Sequence, residues 1–272
     1  MRTIAVIEHK RPGSGKVAAD VKAKLAAAGF RVREDEVAGA DLIVCIGGDG
    51  SFLHALNRYD FPEAPFVGIN TGHLGFFQEL DEADIDLFIE KYKAGDYQRQ
   101  EYRTVEGTCE HAGGVLRVQG LNEIVVRGEG SRLCHLDIYI GDRFIENFSG
   151  DGIIVATPAG STAYNYALGG GIVDPRIPLL QVTPIAPVNS AAYRSFTSSI
   201  LLPPDLAVCV YPVSEGLTKA QAARQKTRIA VDGIESHLKG VTRIAIGLSE
   251  KTVTLLRFKD YYFWNTVKQK LL

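Results

Sequence analysis

The apolar pattern of this chain changes period near residue 98, and no single layer of secondary structure satisfies both halves. Before that point, short apolar runs at Thr3 to Glu8, Phe30 to Arg33, Leu42 to Ile46 and Phe66 to Ile69 read as strands. Runs this short and this apolar fit a sheet covered on both faces. Between and after them lie helix-period stretches. Ser14 to Ala28 carries Val17, Val21 and Leu25 on one face and Gly29 at its end; Ser51 to Arg58 follows; Ala83 to Tyr92 lines up Ile85, Phe88, Ile89 and Tyr92. Strands alternating with helices predict a parallel sheet flanked by helices, with ligands gathering at the carboxyl ends of the strands.

From about Tyr97 the chain reads as many short strands with Gly-rich turns. They are Tyr102 to Glu110, Val115 to Gln119, Glu123 to Arg127, Leu133 to Ile140, Arg143 to Phe148, Ile153 to Thr157, Leu206 to Tyr211, Thr227 to Val231, Arg243 to Leu248 and Thr252 to Phe258. Turns are expected at His111 to Gly114, Gly141-Asp142 and Asp232-Gly233. This half is therefore mostly β and sandwich-like. Tyr261 to Leu272 returns to helix-compatible residues, expected to pack back on the first domain.

Composition narrows the function. With 30 Lys and Arg against 32 Asp and Glu, the net charge of −2 supplies no field to hold a polyanion, so a sequence-independent nucleic-acid binder is disfavoured. Cys45, Cys109, Cys134 and Cys209 form no Cys-x-x-Cys pair, which argues against structural zinc. The run Ile4 to Ile7 is too short for a signal peptide, and stretches such as Leu42 to Ile46 and Ile153 to Ala156 are too short to span a bilayer. The expectation is a soluble cytoplasmic protein without a membrane partner.

Glycine is in excess, 28 of 272 residues, and it clusters next to polar residues at four places. Gly13-Ser14-Gly15-Lys16 superficially suggests a phosphate loop, but a Walker loop needs glycine at position 10 and a hydroxyl residue at 17, where the chain has Lys10 and Val17. Ala18 also stands where a dinucleotide fingerprint needs its third glycine. A turn opening a helix is the better reading there. Gly47-Gly48-Asp49-Gly50-Ser51 joins a buried strand to a helix, so backbone and helix amides can approach a phosphate. Asp49, an anion in that place, makes sense as a Mg²⁺ ligand or as acceptor of a proton from an attacking hydroxyl; the alternative is an ordinary turn with Asp49 capping the helix. Gly68 to Phe77 again follows a strand, with donors and two aromatics. The segment from Gly150 to Gly171 is the densest: Gly150-Asp151-Gly152, a strand, then Pro158-Ala159-Gly160-Ser161-Thr162-Ala163-Tyr164-Asn165 and Gly169-Gly170-Gly171.

Taken in order, IGGDGSFL (46 to 53), GINTGHLGF (68 to 76), LNE (121 to 123), GDGIIVATPAGSTAYN (150 to 165), LGGGIVDP (168 to 175) and VDG (231 to 233) resemble the ATP-dependent NAD kinases of bacteria over essentially the whole length. That resemblance implies an α/β domain over residues 1–98 carrying the GGDG loop. It further implies a β-rich NAD-binding domain over 99–255, a C-terminal helix over 256–272 returning to the first domain, and NAD in the crevice between the domains. The activity it implies is transfer of the ATP γ-phosphoryl group to the 2′-hydroxyl of the adenosine ribose of NAD, with Mg²⁺ or another divalent cation accompanying ATP; the ligands of that metal stay open. Carried over by position, Asp49 is the catalytic aspartate and Gly47, Gly48 and Gly50 form the phosphate loop. Asp49, Gly50, Phe76, Asn122, Glu123, Asp151, Thr162, Ala163, Tyr164, Asn165, Ala186 and Asp232 fall at NAD-binding positions. The family likeness also implies a homodimer or homotetramer.

Two departures stand out. Ser149 replaces an arginine that often precedes the GDG of this family, and Ala167 a serine after TAYN; Arg143 or Arg132 could supply the missing cation. Two other readings remain open at this point: a lipid kinase of the diacylglycerol type sharing the GGDG loop, and a non-catalytic NAD-binding regulator.

Overall fold

The runs β1 (Thr3–Glu8), β3 (Leu42–Ile46) and β4 (Phe66–Ile69) are covered on nearly every residue, as strands in the middle of a two-sided sheet must be. With β2 (Arg31–Glu34) at the edge, they lie in the order β2-β1-β3-β4, every neighbouring pair parallel. The computed structural model describes residues 1–8, 14–72, 75–129, 133–190, 194–213 and 226–272. It divides into two units, one of residues 1–102 and 252–272 and the other of residues 103–251.

In the first unit, helices α1 (Ser14–Ala27) and α3 (Ile85–Ala94) bury Val17, Val21 and Leu25, and Ile85, Phe88 and Tyr92, on the face of the sheet that presents Ile4, Val44 and Val67. Gly95 ends α3 in the left-handed conformation expected of a C-cap glycine, φ +75°. Helix α2 (Asp49–Arg58) takes the opposite face, where Phe52 meets Phe66 edge-on at 5.2 Å and stacks on Phe77 at 4.9 Å. The last strand of the chain, β16 (Arg243–Arg257), pairs parallel with β4 through Leu255 and Phe66, so its final residues complete this sheet. The C-terminal helix, Phe263–Lys270, belongs to the same unit, as the sequence led us to expect.

The second unit is a sandwich of antiparallel strands. One sheet holds the hairpin of β8 (Cys134–Ile140) and β9 (Arg143–Gly150), with β13 (Val208–Pro212) pairing both β8 and the early part of β16. It also contains β5 (Gln98–His111), whose later residues pair with β6 (Gly114–Gly120). The other sheet runs β12 (Ile200–Leu202), β11 (Leu180–Ile185), β10 (Gly152–Ala156), β7 (Glu123–Gly128), β14 (Lys226–Val231), β15 (Ile234–Lys239). Leu136, Phe148 and Ile246 from one sheet share a core with Ile153, Val182 and Ile229 from the other.

Three strands, β11, β12 and β15, go beyond the sequence reading. β15 is an edge strand with little buried surface, so it carries no clear alternation to read. β11 contains Pro184, but β12 accompanies only Leu180 to Val182, and past that point an absent N–H costs no ladder bond on that side. The two runs expected at Arg243 to Leu248 and Thr252 to Phe258 are one continuous strand. The polar break between them is held extended by β5: Arg103 Nε donates to the Ser249 carbonyl at 2.9 Å and Thr104 Oγ1 to that of Lys251 at 3.1 Å.

Gly152 opens β10 at φ +150°, and a Cβ there would fall on the Val126 carbonyl oxygen and lie 3.0 Å from Arg127 Cα. Both contacts are backbone and cannot swing aside. Gly152→Ala is expected to cost about 2–3 kcal/mol, read as a drop in urea midpoint with unchanged slope; an unchanged midpoint would contradict the geometry.

Candidate active site

The GGDG loop leaves β3 and enters α2 sooner than expected, at Asp49. Gly48 is the N-cap, in extended conformation, and the Asp49 side chain makes no capping bond. The ordinary-turn alternative, in which Asp49 caps its own helix, is therefore corrected. Its carboxylate instead reaches across to the loop after β4. Oδ1 accepts the backbone amides of Phe76 and Phe77 at 2.9 and 3.1 Å, and Oδ2 accepts Phe76 N at 3.0 Å and Lys270 Nζ at 3.2 Å. Gly47 donates its own amide to the Ile69 carbonyl at 2.9 Å, so that N–H is already used. Among the first amides of α2, those of Ser51 and Phe52 donate to the Gly48 carbonyl at 2.9 and 3.1 Å, and those of Asp49 and Gly50 precede the first intrahelical bond. Gly50 is exposed beside them. Ser51 Oγ and both amide atoms of Gln78 are buried here without a hydrogen-bond partner.

Phe76 is held from three sides. Its carbonyl accepts Arg257 Nη2 at 3.0 Å, its ring lies 6.0 Å from that of Phe263, and Lys270 Nζ sits 4.7 Å from the ring centroid. Arg257 is itself 2% exposed and bonds Gln100 and the Tyr102 hydroxyl, with its guanidinium 3.7 Å from the centroid of the Tyr261 ring. His73 and Leu74 of the GINTGHLGF segment, Gly13 of the first glycine cluster and Arg132 lie outside the described residues.

In the second unit, Asp232 and Gly233 form the two-residue turn between β14 and β15, with φ +48° and +84°. Asp232 turns its carboxylate onto the LNE segment, accepting Leu121 N and Asn122 N at 2.8 Å each and Glu123 N at 3.3 Å. Asn122 and Glu123 are buried, at 5% and 6% exposure, yet Asn122 Oδ1 and Glu123 Oε2 have no partner. Buried polar atoms are almost always satisfied in a native fold, so two adjacent exceptions ask for a ligand or water. Burial, and after it the charge of Asp232, pushes the Glu123 carboxyl up to about 8.

The AGST turn, a 3₁₀ segment at Ala159–Thr162, leads into the short α4 (Tyr164–Ala167). It docks against the LNE segment: Thr157 Oγ1 donates to Leu121 O at 2.7 Å and Thr157 N to Asn122 O at 2.8 Å. Thr162 and Ala163 are half-buried, and Tyr164 is 38% exposed. Asn165 is fully buried, its Oδ1 accepting Thr183 Oγ1 at 2.7 Å while its Nδ2 has no partner. Asp151 donates its amide to Ile185 O at 2.9 Å, beside Ala186, an exposed alanine at φ +44°. Strain of that kind in a non-glycine residue concentrates at functional sites.

Ser149 is 2% exposed and bonded to His135 Nδ1 at 2.8 Å, with Ser195 bridging its amide and carbonyl. It is a packed strand residue. Arg143 lies at the opposite end of β9 from Gly150; the guanidinium beside Asp151 is that of Arg127, 3.6 Å away, on the neighbouring strand β7. Sequence spacing did not find Arg127 because pairing across strands brought it there. Nor did it find Lys270, which is 221 residues from Asp49.

Two tests follow from this geometry. A Cβ on Gly75 would fall on Gln78 Oε1 and Asp49 Oδ1, both movable side-chain atoms. Gly75→Ala should therefore displace Asp49 and lower turnover about tenfold or more with little change in melting temperature. For Glu123, the folded carboxyl keeps a proton that the unfolded chain releases near 4.5, so folding takes up a proton in the window from about 4.5 to about 8. Its contribution to stability falls as pH rises through that window, and Glu123→Gln should gain on the wild type between pH 5 and pH 8 in urea titrations.

Comparison with known proteins gives the family. Residues 18–97 match the ATP-NAD kinase N-terminal domain and residues 121–197 the ATP-NAD kinase C-terminal domain. A protein named NAD kinase from Finegoldia magna is 37% identical over 254 residues, covering 93% of this chain and 91% of its own. NAD kinase 1 of Listeria innocua is 32% identical over 236 residues, covering 85% and 86%. In fold the chain is similar to yeast NADH kinase crystallised with NADH, with TM-score 0.85, 20% identity and coverage of 100% of this chain and 87% of that one. It is also similar to an NAD kinase of Archaeoglobus fulgidus in complex with ATP, with TM-score 0.78, 21% identity and 98% of each chain covered. The lipid-kinase alternative is set aside. With an Asp49 loop at the head of α2, an LNE segment organised by Asp232, and both family domains matched in order, the chain belongs to the ATP-NAD kinase family.

Proposed function

We propose that this chain transfers the γ-phosphoryl group of ATP to the 2′-hydroxyl of the adenosine ribose of NAD, giving NADP and ADP, with Asp49 as the general base. The observation that carries the reading is the Asp49 carboxylate, fixed by the amides of Phe76 and Phe77 at the head of α2. A base held in one orientation by backbone donors needs no reorganisation when a hydroxyl arrives. In the step itself, Asp49 takes the proton of the 2′-hydroxyl as the bond from that oxygen to the γ-phosphorus forms. The bond from the γ-phosphorus to the bridging oxygen breaks, and ADP leaves with that electron pair.

Gly47, Gly48 and Gly50 are proposed to shape the loop at which the donor phosphates arrive, next to the helix N-terminus. Phe76, Asn122, Glu123, Asp151, Thr162, Ala163, Tyr164, Asn165, Ala186 and Asp232 are proposed to bind or organise the NAD site. Within that set, Asn122 and Glu123 have oxygens to offer, and Glu123, protonated at neutral pH, can donate as well as accept. Asp232 has its carboxylate bonded within the protein, so it acts by holding neighbours in place, whereas Asn165 bonds Thr183 through Oδ1 and leaves Nδ2 without a partner.

A divalent cation fits this chain as the companion of ATP. Among the described residues no three His, Cys, Asp or Glu side chains gather as a metal cage, and Mg²⁺ ordinarily needs only one or two carboxylates beside substrate phosphates. Asp49 and the orphaned Ser51 Oγ are the groups that would face it. Bound there, it would neutralise charge on the phosphates during transfer. Among the described residues no helix is long and apolar enough to cross a membrane. A cytoplasmic setting, supported by four free cysteines, and a homodimer or homotetramer complete the proposal.

Incubation with NAD, ATP and Mg²⁺, with NADP detected by an NADP-specific dehydrogenase, tests the activity. NAD binding with no release of ADP would select the non-catalytic regulator instead. Asp49→Asn is expected to lower kcat by about 10²–10⁴ while NAD still binds; near wild-type turnover would remove Asp49 from its role.

A further inference from the structure

Lys270 is the last residue of the C-terminal helix, and cations in a final turn commonly serve only the helix dipole. Lys268 stands in that same turn and satisfies that need. Lys270 does something more specific. Its ammonium is 3.2 Å from Asp49 Oδ2 and 4.7 Å from the centroid of the Phe76 ring, so one group touches both the base and the aromatic whose amide holds that base. The two side chains are 26% and 27% exposed, an exposure at which an ion pair contributes little to stability. What the pair does control is orientation. The amides of Phe76 and Phe77 reach Oδ1 at 2.9 and 3.1 Å, whereas Oδ2 shares the Phe76 hydrogen, at 3.0 Å, and takes Lys270 Nζ at 3.2 Å. The ammonium is thus the donor that Oδ2 does not share with Oδ1, and removing it takes one restraint from the carboxylate that the backbone amides do not replace.

The helix is placed to deliver this contact. Phe263, 7% exposed, sets its first turn against Phe76, and Val267, 1% exposed, seats the middle. One turn further on, Lys270 therefore arrives over Phe76 as a consequence of packing. Near it, Gln78 is 1% exposed with both amide atoms unpartnered.

We propose that Lys270 is a positioning residue for phosphoryl transfer, holding Asp49 Oδ2 in the orientation that receives the proton of the acceptor hydroxyl. This makes the end of the C-terminal helix part of the acceptor site, and it rests on the assignment of Asp49 as the base.

The test compares kcat, KM and the dissociation constant for NAD in full-length Lys270→Met, Lys270→Arg, Lys268→Met and Asp49→Asn, with melting temperatures measured for each. Lys270→Met should lose about tenfold or more in kcat, with the NAD dissociation constant within twofold of wild type and little change in melting temperature. Lys270→Arg should recover most of that loss, and Lys268→Met should behave as wild type. Wild-type kcat in Lys270→Met, with Asp49→Asn inactive, overturns the role of Lys270 and leaves Asp49 as the base. Equal loss in the Met and Arg variants overturns it as well, since charge would then not be the operative property. Turnover retained in Asp49→Asn removes the base and the proposal together.

Discussion

The first unit is organised around a buried arginine. Burying a guanidinium is costly unless its donors are used, and Arg257 uses them on Gln100, the Phe76 carbonyl and the Tyr102 hydroxyl, with Tyr261 against its face. Glu79 lies opposite, its Oε1 accepting the amides of Phe258 and Lys259 and its Oε2 3.9 Å from Arg257 Nη1. These bonds tie the strand end and the loop after β4 into one rigid piece. The amides of Phe76 and Phe77 are thereby pointed at Asp49. The position of the carboxylate thus depends on residues from the loop after β4, from the start of β5 and from the end of the chain, and the final strand and helix have to return to the first unit for it to be held.

The second unit solves a similar problem with a carboxylate in the opposite role. Asp49 receives backbone amides together with the Lys270 ammonium, whereas Asp232 places its oxygens on the amides of Leu121 to Glu123. That placement holds Asn122 and Glu123 in a turn where their own side-chain oxygens go unpaired. The AGST segment closes around the same turn, with Gly160 so close to Asn122 that a Cβ would lie 2.6 Å from its carbonyl carbon. Polar groups left unsatisfied by such deliberate packing are expensive for the fold, and their retention fits a ligand that satisfies them.

Much of this architecture was legible before any coordinates. Runs such as Leu42–Ile46 and Phe66–Ile69 announce buried strands because parallel strands are covered on both faces, and Gly141-Asp142 and Asp232-Gly233 announce hairpins because they accept positive φ. The strands that escaped notice were those whose stability comes from neighbours. β15 has an exposed pattern, β11 carries a proline tolerated only because β12 ends early, and the middle of β16 stays extended because Arg103 and Thr104 bind its carbonyls.

The same division runs through the site. The linear order of glycine-rich segments, and with it the family and the proposal of Asp49, Asn122, Glu123 and Asp151 as site residues, is written in the sequence, because close backbone approach to phosphate or nucleotide demands particular residues at particular spacings. The tertiary structure alone decided what those residues touch. It made Asp49 a receiver of distant amides instead of a helix cap, brought Arg127 beside Asp151 through strand pairing, and placed Lys270 on Asp49. Spacing along a chain encodes local conformation, but partners tens to more than two hundred residues away are chosen by packing, and no pattern in the intervening residues records that choice.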